Sequence, residues 1–185
     1  NPNEVDIAWE LGGRRFEIPI IAAAMDGVVD PRFAIEMGRL GGFAVLNLEG
    51  IQSRYESPEE VLDRITSASL EEATKIIQSI YAEPIKEELI HKRISETKKG
   101  GGPAVVSSIP QRAERFAKIA EEAGADIFVV QSTVTTARHS ATEYTPLDFR
   151  RLKRNLSIPL IVGNCVTYEA GLELMECGVD ALLIG

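Results

Sequence analysis

Short apolar runs alternate along the chain with amphipathic stretches of helical period. The first two runs flank Gly12-Gly13, which is typical of a β-hairpin with a tight two-residue turn. The next six runs are mainly apolar without strict alternation, as strands buried on both faces of a sheet are. They are "PIIAAAM" (19–25), "FAVLNL" (43–48), "AVVSSI" (104–109), "DIFVVQ" (126–131), "LIVGNC" (160–165) and "ALLIG" (181–185).

A faint repeat links these runs. The segments "RLGGFAVLN", "EAGADIFVVQ" and "ECGVDALLIG" each pass from a helix end through a glycine into a strand. The glycine supplies the left-handed conformation that ends a helix. In the last two segments an aspartate, Asp126 or Asp180, opens the strand. This order of strand, helix and glycine turn predicts the β/α units of a parallel sheet.

Two parallel folds fit this order, an open doubly wound sheet and a (β/α)8 barrel. No G-x-G-x-x-G follows the first strand, so the dinucleotide-binding form of the open sheet loses its main support. Polar residues instead stand at the carboxyl ends of the strands, as they do around the mouth of a barrel. These residues are Asp26, Asn47, Ser108, Gln131, Ser132 and Asn164. The sequence therefore predicts an α/β fold of TIM-barrel type, with the hairpin and Trp9 at its amino-terminal floor.

The length of the chain bounds this prediction. A complete barrel has eight strands and about 250 residues, whereas this chain has 185 residues and six predicted barrel strands. We therefore expect one domain, residues 1–185, that forms a partial barrel incomplete at its carboxyl terminus. Residues 50–102 are charged and helical in pattern, and Ser57-Pro58 is typical of a helix start. They predict an insertion of two or three helices after the second barrel strand, either a solvated surface or a contact with a partner.

Composition disfavours several classes of function. The net charge of −8 argues against binding to nucleic acid, which requires a basic surface. No apolar run approaches the roughly 20 residues of a membrane span, and no stretch resembles a secretory signal. The cysteines, Cys165 and Cys177, show neither metal-ligand spacing nor a disulfide framework. We expect a cytoplasmic protein without nucleic-acid, membrane or metal partners.

The segments "PIIAAAMDGVVD", "RLGGFAVLN" and "IVGNCVTYEAGLELMECGVDALLIG" resemble the IMP dehydrogenase and GMP reductase family. The similarity is greatest to the bacterial IMP dehydrogenase-related branch, through "AMDGVVD", "VLNLEGIQSRYE", "YAEPIK" and "GNCVTYE". That branch lacks the paired CBS domains common in IMP dehydrogenases, and the 50–102 insertion is too short to hold such a pair. The resemblance implies a purine-nucleotide substrate, NAD or NADP(H) as cofactor, and a monovalent cation as a further candidate ligand. It also implies that the full-length protein is a homo-oligomer, namely a tetramer.

The resemblance also implies a mechanism. A cysteine thiolate attacks C2 of the nucleotide, and a hydride passes between that carbon and the nicotinamide. In the family this cysteine follows the sixth barrel strand, so we expect it after Gly185 and expect no catalytic residue within this chain, which alone should be inactive. Cys165 and Cys177 are interpreted as structural.

Three functions stay open at this point. Oxidation of IMP to XMP with NAD through a cysteine thioimidate is the first expectation. NADPH-dependent reductive deamination of GMP to IMP is the alternative within the family. A non-catalytic nucleotide-binding or scaffolding barrel is the alternative of another class.

Site residues follow from the resemblance, position by position. The substrate-binding candidates are Met25, Asp26, Gly163 and Asn164, with plain core packing as the alternative for Met25. The cofactor-binding candidates are Gln131, Ser132 and Thr133. Three positions depart from the family pattern. Gln131 replaces an aspartate that holds the cofactor ribose in the family. Ala23 replaces a substrate-contacting serine of IMP dehydrogenases, and Asn47 replaces a histidine that many of them carry. They leave the cofactor and the direction of the reaction open.

Two histidines complete the candidates. His139 lies in the loop after the fourth barrel strand, where general acid or base work is the alternative to a solvated loop residue. His91 lies in the charged insertion. Neither histidine has a spaced partner of the kind that a metal site requires.

Overall fold

The computed structural model describes residues 4–137 and 146–185. In these residues the strands are β1 (Trp9–Leu11), β2 (Arg14–Phe16), β3 (Ile21–Ala22), β4 (Phe43–Asn47), β5 (Val105–Ser108), β6 (Ile127–Gln131), β7 (Leu160–Cys165) and β8 (Ala181–Ile184). The α-helices are α1 (Pro31–Arg39), α2 (Pro58–Thr66), α3 (Leu70–Ala82), α4 (Glu87–Lys99), α5 (Ala113–Glu122), α6 (Phe149–Asn155) and α7 (Tyr168–Glu176). None of these helices is both long and apolar enough to cross a membrane.

Strands β3 to β8 form one six-stranded parallel sheet whose spatial order is their order along the chain. In a doubly wound sheet the spatial order of the strands reverses at a switch point. The strand order of this sheet does not reverse. The sheet is curled into a half-barrel of TIM-barrel type, which confirms the predicted fold class and its six strands.

Strand β3 is shorter than the predicted run over residues 19–25. Only Ile21 and Ala22 pair with β4, because the backbone turns away directly afterwards. The Met25 N–H donates to the Ala23 carbonyl at 2.8 Å, which closes a tight turn where the strand was expected to continue. The carboxyl end of β3 therefore depends on contacts other than the sheet ladder.

Side chains on each strand alternate between two cores. The inner face of the sheet buries Phe43, Val45, Val105, Ile127, Val129 and Ile161. The outer face buries Ala44, Leu46, Val106, Phe128, Val130 and Val162 against the helices. This double burial is the reason that the strands read as continuous apolar runs.

The β1–β2 hairpin covers the inner face at its amino-terminal end. Trp9 stacks on Phe16 at 5.2 Å between ring centroids and lies 5.8 Å from the ring of Phe43. Its indole N–H donates to the Ile18 carbonyl at 3.1 Å. Gly12, at the turn, has a φ of +59°, and a Cβ there would lie 2.1 Å from Cγ of Pro159. The predicted hairpin and its place at the floor are confirmed.

The aspartates that open β6 and β8 explain the repeat seen in the sequence. Each one accepts a hydrogen bond from a backbone N–H at the start of the preceding strand and from a lysine of the helix that comes before that strand. The partners are Ala104 (2.8 Å) and Lys98 (2.7 Å) for Asp126, and Leu160 (2.7 Å) and Lys153 (2.6 Å) for Asp180. The aspartate thus joins two strands and one helix at the amino-terminal edge of the sheet.

The insertion contains α2, α3 and α4, in agreement with the predicted two or three helices. It has a small core of its own, formed by Ile51, Val61 and Ile80. Arg93 of α4 is 6% exposed and donates to the carbonyls of Gln52, Tyr55 and Glu56 at 2.9–3.1 Å. Ser57 and Pro58 do begin α2, although the Ser57 side chain makes no capping hydrogen bond. The insertion is more than a solvated face, because it is packed and internally bonded.

Candidate active site

The inner face of the sheet is open above the hairpin, at the carboxyl ends of the strands. We call this concavity the inner cleft; it is lined by Ile21, Ala23, Val45, Val129, Gln131, Ile161, Asn164, Leu183 and Ile184. Two side-chain amides, those of Gln131 and Asn164, therefore project into an otherwise apolar surface. A few polar groups in an apolar cleft are typical of a small-molecule site, where they set the orientation of the ligand.

Asn164 reaches the inner cleft because of a β-bulge in β7. Two steps along β7, from Gly163 to Cys165, match a single step along β8. Strict alternation from Ile161, an inner-face residue, would turn Cys165 inward and Asn164 toward the helices. Instead Asn164 lines the inner cleft and Cys165 packs in the helix-side core. The Gly163–Asn164 peptide bond is cis.

The backbone around Asn164 is held by the loop that follows β6. The Ser132 N–H donates to the Gly163 carbonyl at 2.9 Å, and the Asn164 N–H donates to the Ser132 carbonyl at 3.0 Å. Thr135 adds two bonds of 2.7 Å, from its N–H to the Asn164 carbonyl and from its hydroxyl to the Gly163 carbonyl. These bonds fix the ends of β6 and β7 relative to each other. Thr135 was not foreseen, since nothing in its sequence context distinguishes it from its threonine neighbours.

The side-chain amides of Gln131 and Asn164 are available to a ligand. Neither one forms a hydrogen bond with any residue that the structure describes, although both are partly buried. Each amide has two N–H donors and a carbonyl acceptor. Gly163, next to Asn164, has no room for a side chain. A Cβ there would lie 2.5 Å from Cβ and 2.6 Å from the carbonyl oxygen of Leu183.

The other candidates lie around this pair. Ser132 faces a neighbouring cleft lined by Gln111, Leu147 and Phe149 among others, and its hydroxyl donates to the Val134 carbonyl at 3.0 Å. Thr133 is exposed. Met25 is 58% exposed at the mouth, so it is not a core residue. Ala23 lines the inner cleft, as a substrate-contacting position should.

Asp26 is engaged by the protein itself. Its Oδ1 accepts from Nδ2 of Asn47 at 3.2 Å, and its Oδ2 accepts from the Ile51 N–H at 3.0 Å and from the Tyr81 hydroxyl. Asn47 also turns toward Asp26 rather than the inner cleft. The structure thus separates Asp26 from the Gln131–Asn164 pair, and gives it a role in holding the mouth together.

Glu49 extends this polar network to β5. Its Oε1 accepts from the Ser108 hydroxyl at 2.9 Å and from the Ile109 N–H at 2.7 Å. Arg112 approaches Oε2 at 3.4 Å, and the Glu49 N–H donates to Oδ1 of Asn47 at 2.9 Å. The carboxyl ends of β3, β4 and β5 are therefore joined by side chains. Glu49 was missed in the sequence, where it resembles any charged loop residue.

Gly50 must stay small for Asp26 to occupy its place. A Cβ on Gly50 would lie 1.8 Å from Oδ1 of Asp26. We expect Gly50→Ala to lower the free energy of unfolding by about 1–3 kcal/mol, the usual effect of overpacking. Urea denaturation followed by circular dichroism measures it. Gly27→Ala is the matched control, because no atom lies within 4 Å of its Cβ; equal effects of both substitutions would contradict the steric explanation.

The two cysteines and His91 lie away from the inner cleft. Cys165 is buried beneath α7, and Cys177 is half-buried where α7 ends. His91 is exposed on α4, and His139 lies outside the described residues. Within residues 4–137 and 146–185, no three His, Cys, Asp or Glu side chains lie together in a way that would hold a metal ion.

Comparison with known proteins identifies the family. The profile of the IMP dehydrogenase/GMP reductase domain matches residues 1–185. The chain belongs to the IMP dehydrogenase/GMP reductase family. This assignment confirms the resemblance read from the sequence.

Individual relatives and a solved structure agree with this assignment. An uncharacterised oxidoreductase of Mycolicibacterium smegmatis is 33% identical over 98% of this chain and 50% of its own length. Inosine-5'-monophosphate dehydrogenase of Cryptosporidium parvum is 26% identical over all of this chain and 47% of its own length. The crystal structure of an IMP dehydrogenase/GMP reductase-like protein from Corynebacterium glutamicum matches with a TM-score of 0.92 and 30% identity, over all of this chain and 50% of that one. The chain thus spans about half the length of these relatives.

Proposed function

We propose that the protein is a purine-nucleotide oxidoreductase that oxidises IMP to XMP with NAD. The observation that carries this proposal is the pair of side-chain amides, Gln131 and Asn164, at the ends of adjacent strands above an apolar wall. Neither amide forms a hydrogen bond with a described residue. On the scaffold of the IMP dehydrogenase/GMP reductase family, such a pair supports binding of a nucleotide and a dinucleotide side by side.

Asn164 and Met25 are assigned to the nucleotide. The Asn164 amide both donates and accepts, so it suits the hydroxyl groups of a ribose. The exposed thioether of Met25 gives a purine ring a polarizable apolar contact. The apolar side chains of the inner cleft, Val129 and Ile161 among them, exclude water from the ligand and so strengthen the hydrogen bonds of the amides.

Gln131 and Thr133 fit the cofactor. The amide of Gln131 and the exposed hydroxyl of Thr133 are neutral hydrogen-bonding groups at the end of β6, suited to the hydroxyls of a nicotinamide ribose. When bound, the nicotinamide supplies the hydride acceptor. Because glutamine is neutral, its hydrogen bonds are weaker than the charge-assisted bonds of the aspartate usual in the family. The residues of this chain thus bind and orient both ligands.

We assign the thiolate nucleophile to a cysteine outside residues 1–185. Cys165 is 3% exposed and faces the helices, so a nucleotide in the inner cleft cannot reach its sulfur. Cys177 lies at the amino-terminal side of the sheet, between the end of α7 and the start of β8. Neither thiol is placed to attack C2 of a purine.

Reductive deamination of GMP with NADPH is the second candidate. Two inner-cleft residues favour it, because Ala23 and Gln131 both depart from the dehydrogenase pattern and both line the surface that would meet the ligands. The Asn164 amide suits IMP and GMP equally, since it is assigned to ribose hydroxyls that both nucleotides carry.

Two assays of the protein expressed from its complete gene test the proposal. We expect IMP with NAD to yield NADH, measured at its absorbance band, with XMP as the second product. Turnover of GMP with NADPH but not of IMP with NAD would reverse the assigned direction. If neither pair reacts while IMP or GMP still binds, the protein is a non-catalytic nucleotide-binding barrel and the oxidoreductase proposal is wrong.

A further inference from the structure

The carboxyl end of β3 is held by Asp26 rather than by the sheet. The β3–β4 ladder contains only Ile21 and Ala22, so residues 23–26 have no strand partner. Asp26 connects them to the rest of the molecule through its bonds with Asn47, Ile51 and Tyr81. Ala23 and Met25, the candidate nucleotide contacts on this strand, therefore depend on the Asp26 carboxylate for their positions.

Two of these bonds come from the insertion, one from the Ile51 backbone at its start and one from the side chain of Tyr81 on α3. Tyr81 lies near the end of α3 in the "YAEPIK" segment, 55 residues from Asp26 along the chain. Its hydroxyl donates to Oδ2 of Asp26, the same oxygen that accepts from the Ile51 N–H. A hydroxyl bonded to a carboxylate is a charge-assisted donor and a strong one. The insertion is thus attached to the rim of the inner cleft at the strand that the sheet holds least.

Arg54 supports the Tyr81 ring from the side of the insertion. Its guanidinium lies 5.7 Å from the ring centroid. Arg54 is itself buried, and it donates to the Glu49 carbonyl at 3.1 Å and to the Glu83 carbonyl. Burial and the bond to Asp26 raise the pKa of Tyr81 above its usual range. The hydroxyl therefore stays protonated, and stays a donor, at neutral pH.

We propose that Tyr81 is a positioning residue of the nucleotide site, which makes the insertion part of that site. Through Asp26 it holds Ala23 and Met25 in the geometry that receives the purine. This inference rests on the proposed function for the identity of the ligand. The attachment itself, of α3 to the end of β3, is independent of it.

Tyr81→Phe tests the inference, because it keeps the ring over Arg54 and removes only the hydroxyl. We expect the Kd for IMP, measured by calorimetric titration of the protein expressed from its complete gene, to rise roughly three- to tenfold, the effect of one hydrogen bond. The KM should rise in parallel, with little change in kcat. Tyr168→Phe is the control, since Tyr168 is exposed on α7. This variant should bind IMP as the unmodified protein does.

A double-mutant cycle separates positioning from general destabilisation. If Tyr81 acts through Asp26, then Tyr81→Phe should add little to the effect of Asp26→Asn on the Kd for IMP. Fully additive effects would overturn the inference. A variant Tyr81→Phe that unfolds at a lower temperature yet binds IMP normally would show a structural role only, and would overturn it too.

Hydrogen exchange tests the attachment without any ligand. We expect backbone amides of residues 23–29 to exchange faster in Tyr81→Phe, while those of residues 127–131 in β6 keep their protection. Unchanged exchange in 23–29 would contradict the inference whatever the protein binds. If the unmodified protein binds neither IMP nor GMP, the proposed function fails, and faster exchange in 23–29 would still support the attachment.

Discussion

Asn164→Ala is expected to lower kcat/KM for the nucleotide by roughly ten- to a hundredfold or more, since an unpaired buried partner costs about 1–3 kcal/mol. The Asn164 amide projects into the inner cleft and forms no hydrogen bond with a described residue. Its removal therefore takes no hydrogen bond from the part of the chain that the structure describes, and leaves a ligand hydroxyl without its partner. Steady-state kinetics on the protein expressed from its complete gene measures the effect.

Stability should barely change in this variant. This part of β7 is held by hydrogen bonds between the backbone of Asn164 and the backbones of Ser132 and Thr135. Alanine at position 164 retains these bonds. Asn155→Ala, at the exposed end of α6, serves as the control and should change neither stability nor kinetics. A variant Asn164→Ala that unfolds readily while its folded fraction turns over normally would show that Asn164 is structural.

Arg93→Met should have the largest effect on stability. The buried guanidinium donates to three backbone carbonyls around the start of α2 and forms an ion pair with Glu96 at 3.1 Å. Methionine retains much of the apolar stem, but the carbonyls lose their donor. Because each buried acceptor left unpaired costs about 1 kcal/mol or more, we expect a loss of about 2–4 kcal/mol in the free energy of unfolding.

Urea denaturation measures that loss, with Arg64→Met as the matched control. Arg64 lies on α2 in the same insertion, and its side chain is exposed. The control should change the free energy of unfolding by no more than about 0.5 kcal/mol, as surface substitutions usually do. Similar losses in both variants would mean that the hydrogen bonds of Arg93 contribute little.

The sequence predicted the architecture because each feature has a local physical cause. Continuous apolar runs, such as residues 127–130, arise from burial on both faces of the sheet, and glycines such as Gly124, with a φ of +86°, end helices. The Gly12-Gly13 turn was predictable from its glycines in the same way, because Gly12 also has a positive φ. The one substantial error, the length of β3, came from the apolar run over 19–25, whose composition does not reveal that the backbone turns at Ala23.

The site was predictable only in part. Position along the strands predicted that Gln131 and Asn164 would stand at the carboxyl end of the sheet, because parallel strands share that edge. Their assigned roles in binding stay predictions. Tyr81, Thr135 and Glu49 were not found, since each acts through a partner that is distant along the chain.

By itself the sequence determined the order of the elements, the two-faced burial of the sheet and the family to which the chain belongs. Only the tertiary structure decided which way the polar side chains point. The bulge that turns Asn164 inward exists in the pairing of β7 with β8, and Asp26 is engaged by Tyr81 of a separate helix. Both depend on contacts between segments far apart along the chain, and such contacts leave no periodic signal in the residues that make them.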